Sequence, residues 1–329
     1  MPRSVTLSPI CGVIAGFLAV CLGAAPALAQ QKAAGSAAKT GSTTQVLRAE
    51  GDGFPIHITY YPANPDKNPN GVENAAVVVL LHGEGGSRLI WDKSSAPQGK
   101  LAFAPQLAEL GYAVVSVDLR KHGESLGDGQ SRALDNNDFV RMAQNDLPAV
   151  NRFLLEEHEN KKLNINKMAI VASDAMGPVA MEFAKLDWEQ RPYLDGPGGS
   201  PGTPRGQDVR ALVLLSPEVS VGRVNGTRAA NFLKNPGLGI AAMIIAGTRD
   251  ADDKGSAQRL EQIFAAPRQN EGRVEFLRPN TNARGTDLLA NPAAAVEPPI
   301  LSFLDKHVRT LNSTWETRKS RYDREVAPE

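Results

Sequence analysis

Continuous apolar runs alternate with segments of helical spacing, and this alternation restricts the fold more than any other feature of the chain. We predict buried strands at 75–81, 112–117, 168–172, 209–215, 241–246 and 273–277. Apolar runs of this kind are typical of strands covered on both faces of a parallel sheet. Helical spacing lies between and after them, at 102–110, 139–157, 177–186, 228–233, 256–265 and 298–308. The order predicts an α/β fold with a doubly wound, mostly parallel sheet.

Two further strands are predicted ahead of the first apolar run. Val46–Glu50 and Ile56–Tyr61 alternate apolar and polar residues, as half-buried antiparallel strands do. With them the sheet has eight strands, and we predict a single domain over 45–310. Residues 187–209 are dense in Pro and Gly, which predicts an insertion loop that could cover a cleft. Residues 311–329 form a charged C-terminal tail that we expect to be loose from Thr317.

The N-terminus has the pattern of an export signal. Arg3 precedes an apolar run that ends in Ala27-Leu28-Ala29, an A-x-A cleavage site. We therefore predict a signal peptide at 1–29, cleaved near Ala29, a disordered spacer at 30–44, and a periplasmic or secreted protein. An uncleaved membrane anchor is the alternative, since the run approaches spanning length. A lipid anchor at Cys21 is disfavoured by the preceding Val20.

Cysteine and charge content exclude several classes of function. Both cysteines, Cys11 and Cys21, lie within the predicted signal peptide, so the mature chain has neither disulfides nor thiol chemistry. The chain has 36 Lys and Arg against 36 Asp and Glu. This balance gives no electrostatic reason to expect binding to nucleic acid or, after signal cleavage, to a membrane. No protein partner and no cofactor motif can be read from the sequence.

Polar and glycine-rich segments follow the ends of the predicted strands. Leu81-His82-Gly83-Glu84 follows the first buried strand, and a Ser173-x-x-x-Gly177 turn joins the strand at 168–172 to a helix. Asp250 follows the strand at 241–246, and Arg284-Gly285 follows the last strand. With these motifs in this order, Gln45 to about Arg309 resembles the α/β-hydrolase family, closest to its dienelactone-hydrolase-like and serine-aminopeptidase-like single-domain branch.

The resemblance implies a catalytic triad in which two members are replaced. In the family's small–x–nucleophile–x–Gly elbow, Ser173 and Gly177 take the small positions, so the nucleophile position falls on Ala175. Asp250 takes the position of the triad acid, and Arg284 that of the histidine. Placing the nucleophile on Asp174 would put Met176 where the pattern requires Gly, so this register is rejected. Ser173 is expected to point into the sheet. The loop at 118–125 resembles a loop of the family whose role is mainly structural, so His122 and Ser125 are expected to be turn residues.

Two backbone amides would remain as donors of an oxyanion hole, those of Glu84, next to Gly83, and Met176. We expect Arg284 to form a salt bridge with Asp250. A functional alternative, which can hold at the same time, is that Arg284 also builds an anion site with these amides for a small carboxylate or phosphate ligand. The binding residues are then Gly83, Glu84, Met176, Asp250 and Arg284.

These expectations give a leading function and two alternatives. The leading one is an exported α/β-hydrolase-fold protein that binds rather than hydrolyses. One alternative is an active hydrolase of small esters or amides with a rewired site built from Ser173, His82 and Asp250. The other is a relic whose cleft binds nothing. A calcium loop from Asp250 to Glu261 is disfavoured because Lys254 occupies a ligand position, so no metal is expected.

Overall fold

Eight strands form one sheet whose strand order is β1-β2-β4-β3-β5-β6-β9-β10 in the computed structural model, which describes residues 41–92, 101–127, 129 and 131–324. The strands are β1 (Thr43–Arg48), β2 (Pro55–Tyr61), β3 (Val77–Leu81), β4 (Ala113–Asp118), β5 (Met168–Ser173), β6 (Val209–Leu215), β9 (Ala241–Ile245) and β10 (Val274–Leu277), with β7 (Ser220–Val221) and β8 (Val224–Asn225) in a separate hairpin. β2 is antiparallel to β1 and β4, and the other pairs are parallel. The predicted fold class is confirmed.

Helices cover both faces of the sheet. They are α1 (Phe103–Glu109), α2 (Asp138–Arg141), α3 (Leu147–Glu159), α4 (Met176–Glu189), α5 (Gly226–Leu233), α6 (Ser256–Ala265), α7 (Asp287–Ala290), α8 (Glu297–Leu304) and α9 (Arg321–Arg324). Successive side chains of β3 enter different cores, because a strand points them alternately to its two faces. Val77 and Val79 pack with α3, α4 and α6, whereas Val78 and Leu80 pack with α1 and α8.

The predicted helix at 139–157 is interrupted by one π-helical segment. α2 and α3 are joined by Met142–Asp146, which has π-helical hydrogen bonding. Pro148 lies in the first turn of α3 and has no N–H to donate, so the regular ladder cannot run through it. The same segment buries Asp146 against Arg120, whose Nη2 lies 2.6 Å from Asp146 Oδ1.

The insertion and the tail lie at the edge of the sheet where the parallel strands begin. Residues 190–208 connect the end of α4 to the start of β6 and contain no regular element beyond one 3₁₀ turn. The predicted insertion loop is therefore present, but it lies away from the strand ends where the cleft forms. The tail is packed rather than loose: Arg318 is buried, and its Nη1 lies 2.5 Å from Asp208 Oδ1. The expectation of a loose tail from Thr317 is wrong.

The N-terminal boundary differs slightly from the predicted one. β1 begins at Thr43, inside the spacer predicted for 30–44, because it pairs with β2 over its whole length. The predicted signal peptide and most of the spacer lie outside the described residues. Within the described part of the chain, no helix is long and apolar enough to span a membrane.

Candidate functional site

A sharp turn between β5 and α4 forms the centre of the candidate site. β5 ends at Ser173 and α4 begins at Met176, so the chain reverses within two residues. Asp174 has a φ of 52°, a left-handed conformation that is uncommon for a residue other than glycine. Its amide donates to Leu215 O at 2.9 Å and its carbonyl accepts from Gly177 N at 3.0 Å. Strain of this kind persists only where the surrounding structure enforces it, and it clusters at functional sites.

The structure differs from the predicted register of the elbow by one residue. Ala175 has a φ of −59° and is 1% exposed within the core, so it cannot be the residue at the tip. Asp174 occupies that position. Gly177 is favoured for another reason, because a Cβ there would lie 3.0 Å from Pro217 Cβ, which is a tight contact. With Asp174 at the tip, Met176 takes the position where the family pattern has glycine. Its side chain is completely buried in the core.

The turn after β3 packs directly against the elbow. A Cβ on Gly83 would lie 2.6 Å from Asp174 Oδ2, so any larger residue there would displace the Asp174 carboxylate. The amide following the tip is now that of Ala175, and the Met176 amide lies one residue beyond it. Among the described residues, neither the Glu84 nor the Ala175 amide donates a hydrogen bond to another protein group. These two amides are the candidate oxyanion-hole donors.

Arg284 lies between three carboxylates. Its Nε is 2.8 Å from Asp174 Oδ1, its Nη1 is 3.3 Å from Asp250 Oδ2, and its Nη2 is 3.7 Å from Glu218 Oε1. The predicted pairing of Arg284 with Asp250 is therefore present in the structure. Asp174 and Glu218 are partners that the sequence reasoning missed. Glu218 follows β6 in the chain, and no motif marks it.

Asp174 is enclosed on several sides. Ser173 Oγ donates to Asp174 Oδ2 at 2.5 Å, so the Ser173 side chain contacts the site rather than only the sheet. Gly285, with a φ of 55°, brings the Arg284 loop so close that a Cβ there would lie 2.1 Å from Asp174 Oδ2. Burial raises the pKa of Asp174, and the nearby charges of Asp250 and Asp287 act in the same direction. Ser173 and Arg284 partly offset this rise.

Comparisons with known proteins identify the architecture. The structure matches a dienelactone hydrolase from Anabaena variabilis with a TM-score of 0.54 and 15% sequence identity, over 82% of this chain and 99% of that one. It matches a puromycin-hydrolysing peptidase from Mycobacterium tuberculosis with a TM-score of 0.57 and 14% identity, over 83% of this chain and 40% of that one. It also matches an acylaminoacyl peptidase from Pyrococcus horikoshii with a TM-score of 0.56 and 11% sequence identity, over 84% of this chain and 43% of that one.

The chain has the α/β-hydrolase fold. At these identities the structural matches establish the fold and leave the activity open. Searches against protein-family models and against curated protein sequences give no match.

Asp174, Arg284 and Asp250 lie on three different loops of this fold. All three follow strands of the sheet at their carboxyl ends, after β5, β10 and β9 respectively. This is the edge where open α/β sheets form their ligand clefts. The three side chains are linked through Arg284, which forms an ion pair with Asp174 and another with Asp250.

A buried histidine pair lies beside the cleft. The rings of His82 and His122 have centroids 4.7 Å apart, and both side chains are buried. Burial lowers the pKa of His82 to about 4, with the nearby His122 adding to the effect. His82 is therefore neutral at pH 7. Its Nδ1 lies 2.7 Å from the Gly83 carbonyl and donates to it, and its Nε2 has no partner among the described residues.

The remaining residues considered from the sequence have structural contacts. Ser125 Oγ donates to Asp118 O at 2.6 Å and accepts from His57 N at 2.7 Å. Asp253 Oδ1 accepts from Ala257 N at 2.9 Å, at the start of α6. In the part of the chain that the structure describes, no group of three or more His, Cys, Asp or Glu residues is arranged to hold a metal ion.

Proposed function

We propose that this protein uses the cleft of an α/β-hydrolase fold for binding and does not hydrolyse esters or amides through a Ser–His–Asp triad. The observation that carries this proposal is Arg284 in the position of the base, surrounded by Asp174, Asp250 and Glu218. Arginine stays protonated, with a pKa above about 12, and therefore cannot accept the proton of a nucleophile. Export remains part of the proposal and is supported by the N-terminal sequence pattern; the mass of the mature chain tests cleavage near Ala29.

The residue at the tip also lacks a free reactive atom. Asp174 Oδ1 is buried and lies in the ion pair with Arg284, while Oδ2 accepts from Ser173 and abuts Gly83 and Gly285. A carboxylate whose charge is compensated in this way is a weak nucleophile. Ser173 is buried and donates to this carboxylate rather than to a base, so it does not form a nucleophile–base pair.

The anionic ligand expected from the sequence finds little support in this arrangement. An anion site needs a cation whose charge is available, and three carboxylates already lie within 3.7 Å of the Arg284 guanidinium. The Asp250 side chain is 3% exposed and the Asp174 side chain 22% exposed, so solvent screens the charge of Asp250 little and that of Asp174 only in part. The binding role therefore does not depend on an anion.

A serine-reactive fluorophosphonate probe tests the proposal. We expect no stoichiometric labelling of the purified mature protein, measured by intact mass, with an active serine esterase labelled under the same conditions as a control. Stoichiometric labelling of one serine would overturn the non-catalytic role. Labelling at Ser173 in particular would support the rewired hydrolase.

One observation favours a second function, hydrolysis through Asp174 as the nucleophile. Asp174 lies at the strained tip of the elbow and keeps a side-chain exposure of 22%. Attack by its carboxylate on a substrate carbon would form an ester and expel the leaving group bonded to that carbon. Water attacking the carbonyl of this ester would then release the alcohol and leave one of its oxygens in Asp174. Incubation with candidate substrates in H₂¹⁸O, followed by mass spectrometry of the peptide containing Asp174, measures this transfer. Our proposal predicts that no ¹⁸O is incorporated into Asp174. Incorporation would show that the protein hydrolyses its substrate through Asp174 and would overturn the binding role.

A further inference from the structure

The cleft beside Asp174 is large enough for a small molecule. It has a volume of about 560 Å³ and is bounded by the turn at 82–87, the elbow and the segment from Arg284 to Asp287. This volume lies in the range of about 300–1,000 Å³ that is common for ligand sites. Among the described lining residues, Ile90 has the only aliphatic side chain, and the others are polar residues or glycines. The cleft therefore suits a hydrophilic ligand.

Three carboxylates and one histidine line this cleft, beside Arg284 and Arg132. Glu84, Asp174 and Asp287 contribute carboxylates. His82 also lines the cleft, is fully buried, and has an Nε2 with no hydrogen-bond partner among the described residues. Because Nδ1 donates to the Gly83 carbonyl, Nε2 of the neutral ring is an acceptor. A buried acceptor without a donor is costly, and a ligand that donates hydrogen bonds would satisfy it.

The charges around the cleft are not balanced. Arg284 is shared by Asp174, Asp250 and Glu218, while Glu84 and Asp287 add two further carboxylates. Arg132 is the other cation lining the cleft; it is exposed and donates to Gly123 O at 3.1 Å. The pKa of Glu218 is raised by burial, and the charges of Asp174 and Glu84 contribute to the rise. The carboxylates therefore lie close enough to repel one another, and an added cation would relieve this repulsion.

The positions of these carboxylates do not suit a bound metal ion. A divalent cation needs several oxygen ligands converging on one point. In the described residues, no three His, Cys, Asp or Glu side chains are placed in this way. The carboxylates are instead distributed around the cleft, on the turn after β3, at the elbow and at the start of α7. A molecule with N–H donors on an extended frame can reach acceptors that a point charge cannot.

We propose that the cleft binds a small hydrophilic molecule carrying one or more primary ammonium groups, with the carboxylates of Glu84, Asp174 and Asp287 and His82 Nε2 as acceptors. This inference rests on the proposed binding function and names its ligand class. It replaces the small carboxylate or phosphate expected from the sequence, because the acceptors that line the cleft complement donors rather than further anions.

A set of four-carbon probes tests the charge preference. 1,4-Diaminobutane, 1,4-butanediol and succinate have similar lengths and carry positive, no and negative charge at pH 7. We expect calorimetric titration at low ionic strength to detect binding of the diamine and neither of the other two. Binding should weaken as salt is added, because the contacts are ionic. Binding of succinate or of the diol in preference to the diamine overturns the proposal, and so does absence of diamine binding.

Single-site variants locate the diamine. Glu84→Gln and Asp287→Asn each remove one exposed carboxylate from the cleft, and we expect each to weaken diamine binding roughly two- to fivefold. Glu271→Gln removes one exposed carboxylate just before β10, at the opposite edge of the sheet, and should leave binding unchanged. If all three variants bind the diamine equally, the contact is elsewhere and the assignment is wrong.

Failure of this inference is distinguishable from failure of the proposed function. Binding of succinate without the diamine would change the ligand class and keep the binding role. Labelling by the fluorophosphonate or ¹⁸O in Asp174 would overturn the binding role whatever the diamine does.

Discussion

Asp174 and Arg284 depend on each other at the level of single residues. With a neutral histidine at 284, the carboxylates of Asp174, Asp250 and Glu218 would share one small region with no cation between them. With serine at 174, Arg284 would lose its shortest ionic contact, the 2.8 Å approach of Nε to Oδ1. Removing one partner of a buried charge pair leaves the other uncompensated, which costs far more than changing both. The two residues therefore form one electrostatic unit.

This pairing predicts which double substitution can restore hydrolysis. Asp174→Ser together with Arg284→His places serine at the tip and histidine next to Asp250. We expect p-nitrophenyl acetate hydrolysis on the order of 10²-fold above either single variant, because triad members act as a unit. The matched control is Ala175→Ser with Arg284→His, which should stay at the level of Arg284→His because residue 175 is buried. Gain of activity in the control alone would show that the tip is at 175.

The register predicted from the sequence differs from that of the structure by one residue, because the local pattern does not decide between two registers. The tip of the turn can be placed at Asp174 or at Ala175, and both registers have small or buried residues on either side of the tip. Gly177 favours the register with Ala175 at the tip, because it then takes the position where the pattern requires glycine. The preference for glycine there comes from Pro217, forty residues further along the chain, so no local pattern reveals it. Asp250 and Arg284 were found because each follows a strand in a motif. Glu218 and Asp287 were missed as site residues because isolated acidic residues in loops carry no distinguishing pattern.

At the level of elements, the junction of α4 and β6 depends on two adjacent buried carboxylates. Asp187, in the last turn of α4, accepts from the amides of Asp208 and Val209 at 2.8 and 3.1 Å. Asp208, just before β6, pairs with Arg318. Burial raises the pKa of Asp187 to about 7, and the charge of Asp208 contributes. The side chain of Asp187 thus joins the end of α4 to the start of β6. Because its pKa is raised, this side chain stays protonated over a wider pH range than an exposed aspartate.

This junction makes stability depend on pH. An unfolded Asp releases its proton near 3.8, whereas folded Asp187 keeps it up to about 7. Between these values the folded state binds more protons, so this group lowers the free energy of unfolding as pH rises. Asp187→Asn removes the dependence. Relative to the wild type, we expect the variant to gain about 2–3 kcal/mol between pH 5 and pH 8, measured by urea denaturation. A stability difference that stays constant over this range would contradict the assignment.

Most elements could be predicted because their apolar periodicity is strong. β6 and α6 were predicted with the same bounds that the structure shows, and the buried runs gave β3, β4, β5 and β9 to within two residues. The π-helical segment at 142–146 was not predicted, since it arises from Pro148 and from the buried contact of Asp146 with Arg120, which joins distant parts of the chain.

At the scale of the whole molecule, the two edges of the sheet have different roles. The cleft lies where the parallel strands end, with Asp174, Asp250 and Arg284 after β5, β9 and β10. The 190–208 segment and the tail lie where the strands begin. Trp315 Nε1 donates to His158 O at 2.7 Å at the end of α3, and Arg318 pairs with Asp208 just before β6. The sequence of the tail gave no sign of this packing, because a charged terminal segment usually lies in solvent and the partners of Arg318 are more than a hundred residues away.

The separation of the two edges predicts that the tail supports stability without shaping the cleft. A chain ending at Leu311 loses Trp315 and Arg318 and leaves Asp208 buried without its cation. Breaking a buried ion pair costs about 3–5 kcal/mol, so we expect the melting temperature to fall by about 10 °C. At temperatures where the truncated chain is still folded, diamine binding should match that of the full mature chain. An unchanged melting temperature would show that the tail packing contributes nothing, whereas loss of binding in the folded truncated chain would show that the two edges are coupled.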